Sequence, residues 1–225
     1  YSYDEKPEDR TVTNIYSRMI QLIAAFPAMV AYGFQAKQHY YDRESLYIHA
    51  PDAELSTAEN FLSMIRPTQS YSRLESDLLD LCLVLHAEHG GGNNSAFTIH
   101  VVSSSDTDTY SAVSAAIGSL KGSRHGGANI KVMHMMNDLK EHIDSWSDDS
   151  QIEAYLVKLL KKEAFGRTGL IYGIGHAVYT TSDPRAVLLR DKAKSLAEEK
   201  GFTEEYDLYS RVERIAPEVL YATKG

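Results

Sequence analysis

The stretch GIGHAVYTTSDPRA, residues 173–186, contains two residue types that could act together on an anionic substrate. His176 follows two glycines, and Arg185 follows an Asp-Pro pair. Asp183 is a good N-cap and Pro184 suits the first position of a helix, so Arg185 is predicted to lie in the first helical turn. A carboxylate or phosphate bound there would meet free backbone N–H groups, the positive end of the helix dipole and a guanidinium. The alternative interpretation is a capped helix with a solvated arginine and a loop histidine.

Two further histidines lie in glycine-rich segments of the same kind. LHAEHGGGNNSAF (85–97) leaves a predicted helix at His89 and continues into three glycines and two asparagines. GSRHGGAN (122–129) places His125 among glycines just before another predicted helix. A single loop histidine is usually a surface residue. Three of them embedded in glycine indicate positions where backbone geometry or the approach of a ligand demands glycine.

A metal site and a phosphate-binding loop are the alternatives that these segments raise. His86 and His89, with Glu88 between them, could face one ion. Their spacing matches no zinc signature, because HAEH is not HExxH, and no metal is predicted. GIGHAV has only the first two glycines of GxGxxG and follows no clear strand, and GxxxxGK[ST] is missing. Cys82 and the methionines of VMHMM (132–136) are interpreted as core residues.

The elements that must position these residues are nearly all predicted to be helices. The most apolar one runs from Val12 to about Gln38, is apolar nearly all round, and is therefore expected to be buried, with a kink at Pro27. Residues 94–105 alternate enough to be a strand, and periodicity alone does not decide between strand and helix. Because other strand signals are few, the predicted fold class is all-α.

Capping and breaking residues set the predicted boundaries of these helices. Capping boxes are predicted at Ser56–Glu59 and Ser150–Glu153. The helix with a small-residue face is expected to be capped by Asp106 or Thr107. The predicted C-terminal ends are, in chain order, before Pro67, at His89, at Gly166, at Gly201 and before Pro217.

Composition and charge limit the classes of function. The chain has 225 residues, of which 43% are hydrophobic and 24% are charged, as in ordinary globular proteins. The formal net charge of −8 argues against a nucleic-acid partner. One cysteine excludes an intramolecular disulfide and fits a reducing compartment. No apolar run approaches ~20 residues, so no membrane span is predicted. The start YSYDEKPEDR resembles neither a signal nor a transit peptide and lacks a methionine, which indicates a chain processed or cut from a longer one.

The segments HAEHGGGN, SAAIGSLKGSRHGGAN and GIGHAVYTTSDPR, in that order, resemble the three signature regions of the citrate synthase family, which includes the 2-methylcitrate synthases. The resemblance spans nearly the whole chain. It implies a two-domain helical fold truncated at both ends, with 1–125 in the large domain, 126–225 as the small domain and the active site in the cleft. It also implies a homodimer built from antiparallel helix pairs and, with the absence of a targeting segment, a cytoplasmic enzyme of the tricarboxylic acid cycle.

The resemblance implies roles for five residues in the condensation of acetyl-CoA with oxaloacetate. His125 matches the catalytic histidine that hydrogen-bonds the acetyl carbonyl oxygen during enolisation. His176 matches the catalytic histidine that polarises the oxaloacetate carbonyl. Arg185 matches an arginine that binds an oxaloacetate carboxylate, and His89 matches a further ligand, with Asn93 a weaker candidate beside it. Acetyl-CoA is implied as a cosubstrate, with no permanently bound cofactor.

The chain also departs from the family pattern. Gly90 stands where the family usually has Glu, Arg124 precedes His125 in place of the more usual G-P-x-H-G, Ile174 is unusual between its glycines, and Thr180 replaces a Lys or Arg near the CoA phosphates. The catalytic aspartate and further arginines are expected beyond Gly225, so the 225-residue chain is not expected to make citrate alone. Three rival functions remain: 2-methylcitrate synthase, a non-catalytic dicarboxylate-binding protein, and a metal-dependent hydrolase using His86, Glu88 and His89.

Overall fold

The computed structural model describes residues 6–88, 90–175 and 183–224. Within these ranges the chain forms α-helices, one short 3₁₀ turn at Phe165–Arg167 and no strand, which confirms the all-α class. Residues 94–103, whose pattern left strand and helix open, are helical. The helices are α1 (Val12–Tyr41), α2 (Thr57–Ile65), α3 (Arg73–Ala87), α4 (Asn94–Ser103), α5 (Thr109–Leu120), α6 (Ala128–His142), α7 (Asp149–Leu160), α8 (Pro184–Lys200) and α9 (Thr203–Lys224).

The chain divides into two compact units. The first, Tyr1–Ser119, contains α1 to α4 and nearly all of α5, and the second, Leu120–Gly225, contains α6 to α9. The division therefore falls at the last residue of α5. The predicted division between residues 125 and 126 refers to the domains of the family and stays a prediction.

The apolar surface of α1 is largely uncovered in this chain. Only Arg18, Ala31 and Gln35 are buried along it, whereas Tyr16 and Ile23 are 65% and 62% exposed. The prediction of a buried helix is therefore wrong for the described chain. A helix that is apolar on all sides is typically buried. In this chain α2 packs most extensively against α1, and most of the apolar surface of α1 stays exposed.

The length and composition of α1 also meet the criterion for a membrane-spanning helix, which the sequence analysis did not expect. It is the one helix in the described ranges to do so, and 11% of its most apolar 18-residue window is buried. α1 has no unbroken apolar run of about 20 residues, but its mean hydropathy is high enough although polar residues are interspersed. Core helices of globular proteins meet the same criterion, so it does not by itself assign α1 to a membrane.

Two helices begin with a complete capping box. Ser56 accepts the N–H of Glu59 at 3.2 Å, and the Glu59 carboxylate accepts the N–H of Ser56 at 2.9 Å, as predicted. Ser72 and Glu75 form the same reciprocal pair at the start of α3, which the sequence analysis missed. Both boxes satisfy backbone donors that the first helical turn leaves without a partner.

Two predicted caps are displaced to a neighbouring aspartate. α5 is capped by Asp108, not by Asp106 or Thr107, and its carboxylate accepts bonds from the N–H and the hydroxyl of the third helical residue. α7 is capped by Asp148 instead of Ser150. Hydrogen bonds from the third helical residue lower the pKa of Asp108, which shows that the helix start favours the ionised carboxylate.

The positions where the helices end are determined more by buried contacts than by glycine and proline residues. Gly201 ends α8 in the left-handed conformation with a φ of 75°, as predicted. α7 ends at Leu160, before Gly166, and α9 continues through Pro217 to Lys224, so these two predictions are wrong. α9 continues because its buried face extends on both sides of the proline, through Ile215, Ala216 and Val219.

The core of the second unit joins α6, α7 and α9. Met135, Met136 and Leu139 of α6 are buried together with residues of the other two helices, as the interpretation of VMHMM requires, although Met133 is 57% exposed. Lys140 adds a polar link, because its ammonium group bonds to Glu205 and lies 3.2 Å from the Tyr209 hydroxyl of α9. α6 is thereby fixed against α9 along its C-terminal half. In the first unit, Cys82 is only partly buried.

Candidate active site

The predicted site residues are distributed over both units. Asn93 lies in the first unit, and His125 and Arg185 lie in the second. His89 and His176 lie outside the described residues.

His125 is held in a tight turn directly before α6. Its N–H donates to the Gly122 carbonyl at 2.9 Å, and the N–H of Gly126 donates to the same carbonyl at 3.0 Å. A Cβ at Gly126 would lie 2.2 Å from the Leu120 carbonyl oxygen, and one at Gly127 would lie 2.4 Å from the Ser123 carbonyl oxygen. Both glycines are therefore required by contact with backbone atoms, and the half-buried His125 is fixed at the entrance to the helix.

The loop before His176 contacts α6 at Gly173. Gly173 and Gly175 have φ values of +86° and +93°, the left-handed region that favours glycine. A Cβ at Gly173 would lie 3.0 Å from a methyl group of Val132 on α6. The left-handed φ at both positions confirms that backbone geometry demands glycine in this loop, and at Gly173 the loop contacts α6.

Arg185 lies in the first turn of α8, as predicted. Asp183 caps the helix by accepting the Arg185 N–H at 2.9 Å, and Pro184 is the first helical residue. The guanidinium turns back onto Asp183, with Nε at 3.0 Å and 3.1 Å from the two carboxylate oxygens and Nη2 at 2.5 Å from Oδ2. The Arg185 and Asp183 side chains are 29% and 20% exposed, so the alternative of a fully solvated arginine does not hold.

α8 is attached to the second unit mainly through α9. Arg190 Nη2 lies 2.6 Å from Glu213 Oε1, and the Tyr206 hydroxyl donates to the Arg190 carbonyl at 3.4 Å. A cavity of about 480 Å³ lies between α6, α8 and α9 and is lined largely by apolar residues, among them Val132, Ile174 and Leu189. The position of Arg185 therefore depends on α9.

Glu88 and Asn93, on either side of His89 in the sequence, form hydrogen bonds with nearby backbone groups. α3 ends at Ala87, and the Glu88 carboxylate accepts the N–H of Gly90, which has a φ of +75°. The Asn93 amide oxygen accepts from Ala96 N–H at 2.8 Å and caps α4, and the amide nitrogen donates to the Gly90 carbonyl at 3.3 Å. Asn93 is therefore a helix cap, a role that the sequence analysis did not assign.

The metal alternative depends on His89, which lies outside the described residues, and therefore stays a prediction. Residues 6–88, 90–175 and 183–224 contain no group of three or more His, Cys, Asp or Glu side chains that could hold an ion. His86 Nδ1 lies 2.6 Å from the Cys82 carbonyl oxygen, one turn back in α3. This ring nitrogen is engaged by the helix backbone.

Comparison with known proteins decides the family. The profile of the family described as citrate synthase, C-terminal domain, matches residues 1–225. The chain belongs to the citrate synthase family. It is 37% identical over 216 residues to the citrate synthase of Deinococcus radiodurans, which covers 94% of this chain and 51% of that protein. It is 36% identical over 200 residues to 2-methylcitrate synthase 1 of Corynebacterium glutamicum, which covers 89% of this chain and 48% of that protein.

Solved structures of citrate synthases share the fold. The citrate synthase of Pyrobaculum aerophilum matches with a TM-score of 0.71 and 30% identity, over 89% of this chain and 45% of that chain. This citrate synthase family chain spans about half the length of the curated relatives it matches.

The ion pair between Asp183 and Arg185 in the second unit was not predicted from the sequence. The spacing of Asp-Pro-Arg carries the signal, because a first-turn arginine two residues after an N-cap aspartate can reach the same carboxylate. The sequence analysis assigned Asp183 to capping alone. Backbone and side chain of Arg185 in fact share this one acceptor.

Proposed function

We propose that the full-length protein is a citrate synthase of the tricarboxylic acid cycle, which condenses acetyl-CoA with oxaloacetate. Water then hydrolyses the resulting citryl thioester, which releases citrate and free CoA. The observation that carries the proposal is the turn after His125, where a Cβ at Gly126 would lie 2.2 Å from a backbone oxygen. Such a turn fixes the backbone that carries the imidazole, and a hydrogen-bond donor to a developing enolate must be held in place. Family membership and the names of the relatives support the same activity.

The two substrates are assigned to different residues. His125 donates a hydrogen bond to the acetyl carbonyl oxygen while the methyl group loses a proton, which stabilises the enolate. His176 polarises the oxaloacetate carbonyl and protonates the alkoxide as the new C–C bond forms. Arg185 binds one oxaloacetate carboxylate, and His89 and Asn93 contact the same substrate. We assign no residue of this chain as the base that removes the methyl proton.

Acetyl-CoA is consumed in each turnover, so the proposal requires neither a permanently bound cofactor nor a metal. An assay of free CoA thiol with the full-length protein tests it, and release is expected only when both acetyl-CoA and oxaloacetate are present. A higher kcat/KM with propionyl-CoA would favour 2-methylcitrate synthase, the name that some relatives carry. Oxaloacetate binding without release of CoA would favour a non-catalytic dicarboxylate-binding protein.

We also propose that the protein is a cytoplasmic homodimer. The support is the uncovered apolar surface of the first unit, on α1 and also on α4 and α5, where Phe97 is 66% and Ile117 is 45% exposed. Exposed large apolar side chains on several helices of one unit are typical of a protein interface. The single cysteine and the acidic charge fit a reducing, aqueous compartment. Sedimentation of the full-length protein tests the dimer, and a monomer at micromolar concentration would contradict it.

A further inference from the structure

Asp183 makes two separate sets of bonds to Arg185. One is the helix cap, in which Oδ1 accepts the backbone N–H at 2.9 Å. The other is the ion pair, in which both carboxylate oxygens accept from the guanidinium at 2.5–3.1 Å. Capping needs only the first set, since an asparagine or a serine caps a helix about as well. The second set therefore points to a further role for this carboxylate.

The geometry of the pair shows which edge of the guanidinium Asp183 holds. A guanidinium offers one pair of parallel N–H groups from Nε and Nη2, and another from Nη1 and Nη2. Asp183 engages the side-on pair, because Nε and Nη2 are the atoms that contact it.

We propose that Asp183 is a positioning residue for oxaloacetate, because its carboxylate holds the side-on edge of Arg185 and so fixes the guanidinium that binds the substrate carboxylate. The proposal rests on the proposed function. Arginine has several rotatable bonds, and binding a ligand through an unfixed arginine loses that rotational freedom. In this protein the freedom is already lost before the substrate arrives.

The negative charge of Asp183 opposes this benefit, since it repels an approaching dicarboxylate. The repulsion is weakened by solvent, because both side chains of the pair are partly exposed. The repulsion also acts between groups that are farther apart than the directly bonded Asp183 and Arg185. We therefore expect the positioning effect to exceed the repulsion, so that loss of Asp183 weakens oxaloacetate binding.

The second unit offers a matched control at Asp148. Its carboxylate caps α7 by accepting the N–H of the residue two positions on, at 2.9 Å, as that of Asp183 does in α8. The other partners of Asp148 in the described residues are the hydroxyl of Ser150 and the amide of Gln151, with no arginine among them. Serine at either position keeps a capping oxygen and removes the carboxylate.

The test compares Asp183→Ser, Asp183→Asn and Asp148→Ser in the full-length protein. Asp183→Ser is expected to raise the KM and the calorimetric Kd for oxaloacetate about tenfold, with kcat changed much less. Asp183→Asn keeps one acceptor for the guanidinium and should give a smaller increase. Asp148→Ser should leave both constants unchanged and lower the melting temperature no less than Asp183→Ser does.

Three results would overturn the proposal. The first is an oxaloacetate KM and Kd that stay unchanged or fall in Asp183→Ser. The second is an equal increase in Asp148→Ser, which would indicate a general effect of helix capping. The third is a wild-type protein that does not bind oxaloacetate, which would contradict the proposed function itself. Binding by the wild type with no change in Asp183→Ser would contradict the positioning role alone.

Discussion

His125 and Arg185 lie in the same unit and are held in place in different ways. His125 is positioned by backbone, through a turn in which Gly126 and Gly127 contact carbonyl oxygens too closely for any Cβ. Arg185 is positioned by a side chain, through the carboxylate of Asp183. The turn at His125 accepts no side chain at Gly126 or Gly127. The strength of the ion pair, in contrast, can be changed by conservative substitution of Asp183. The residue assigned to stabilising the enolate thus has the more rigid support, and the residue assigned to anion binding has the more adjustable one.

Removal of Arg185 should have the largest effect. Arg185→Leu in the full-length protein should raise the oxaloacetate KM and lower turnover, because a charge-assisted bidentate contact worth about 2–4 kcal/mol is lost. Steady-state kinetics measure both changes. Lys194→Leu, which removes an exposed cation farther along the same helix, is the control and should have a much smaller effect. Unchanged oxaloacetate kinetics in Arg185→Leu would remove this residue from the site.

Disturbing the backbone support of His125 should have the next largest effect. Gly126→Ala places a methyl group against the Leu120 carbonyl, so the turn must shift, and a displacement of about 1 Å can lower activity about 10²-fold. We expect a loss of this size in kcat/KM for acetyl-CoA. Ser123→Ala, which shortens an exposed side chain in the same turn, should be nearly neutral. If both variants were equally active, the turn would not be the support of His125.

Removal of the Lys140–Glu205 link between α6 and α9 should have the smallest effect, and we expect it on stability. The hydrogen bond from Lys140 lowers the pKa of Glu205 from its ordinary value of 4.5. The stability from this bond is therefore present above about pH 4.5 and is lost as the pH falls through the lower pKa of the folded state. Glu205→Gln should lower the free energy of unfolding by about 1 kcal/mol at pH 7. In urea unfolding, this difference should disappear at acidic pH, and a difference independent of pH would contradict the assigned link.

Features set by neighbouring residues could be predicted from the sequence, because capping is local. The Asp183–Pro184 start of α8 and the Gly201 end are examples. Features set by distant contacts could not. Residue 126 must be glycine because a carbonyl of the preceding helix lies too close for a Cβ. α9 continues through Pro217 because its buried face packs against other helices on both sides of the proline. The roles of His125 and Arg185 came from the family resemblance, whereas the side-on pairing of Asp183 required coordinates.

The most direct test of the central claim is to measure methyl-proton exchange of acetyl-CoA and oxaloacetate binding side by side, in His125→Ala and Arg185→Leu of the full-length protein. The account predicts that His125→Ala loses exchange by about 10²–10³-fold, because enolisation loses its fixed donor, while oxaloacetate still binds. Arg185→Leu should show the opposite order, with oxaloacetate affinity as the property that falls most. If His125→Ala lost oxaloacetate affinity and kept proton exchange, the division of the two substrates between these residues would be wrong.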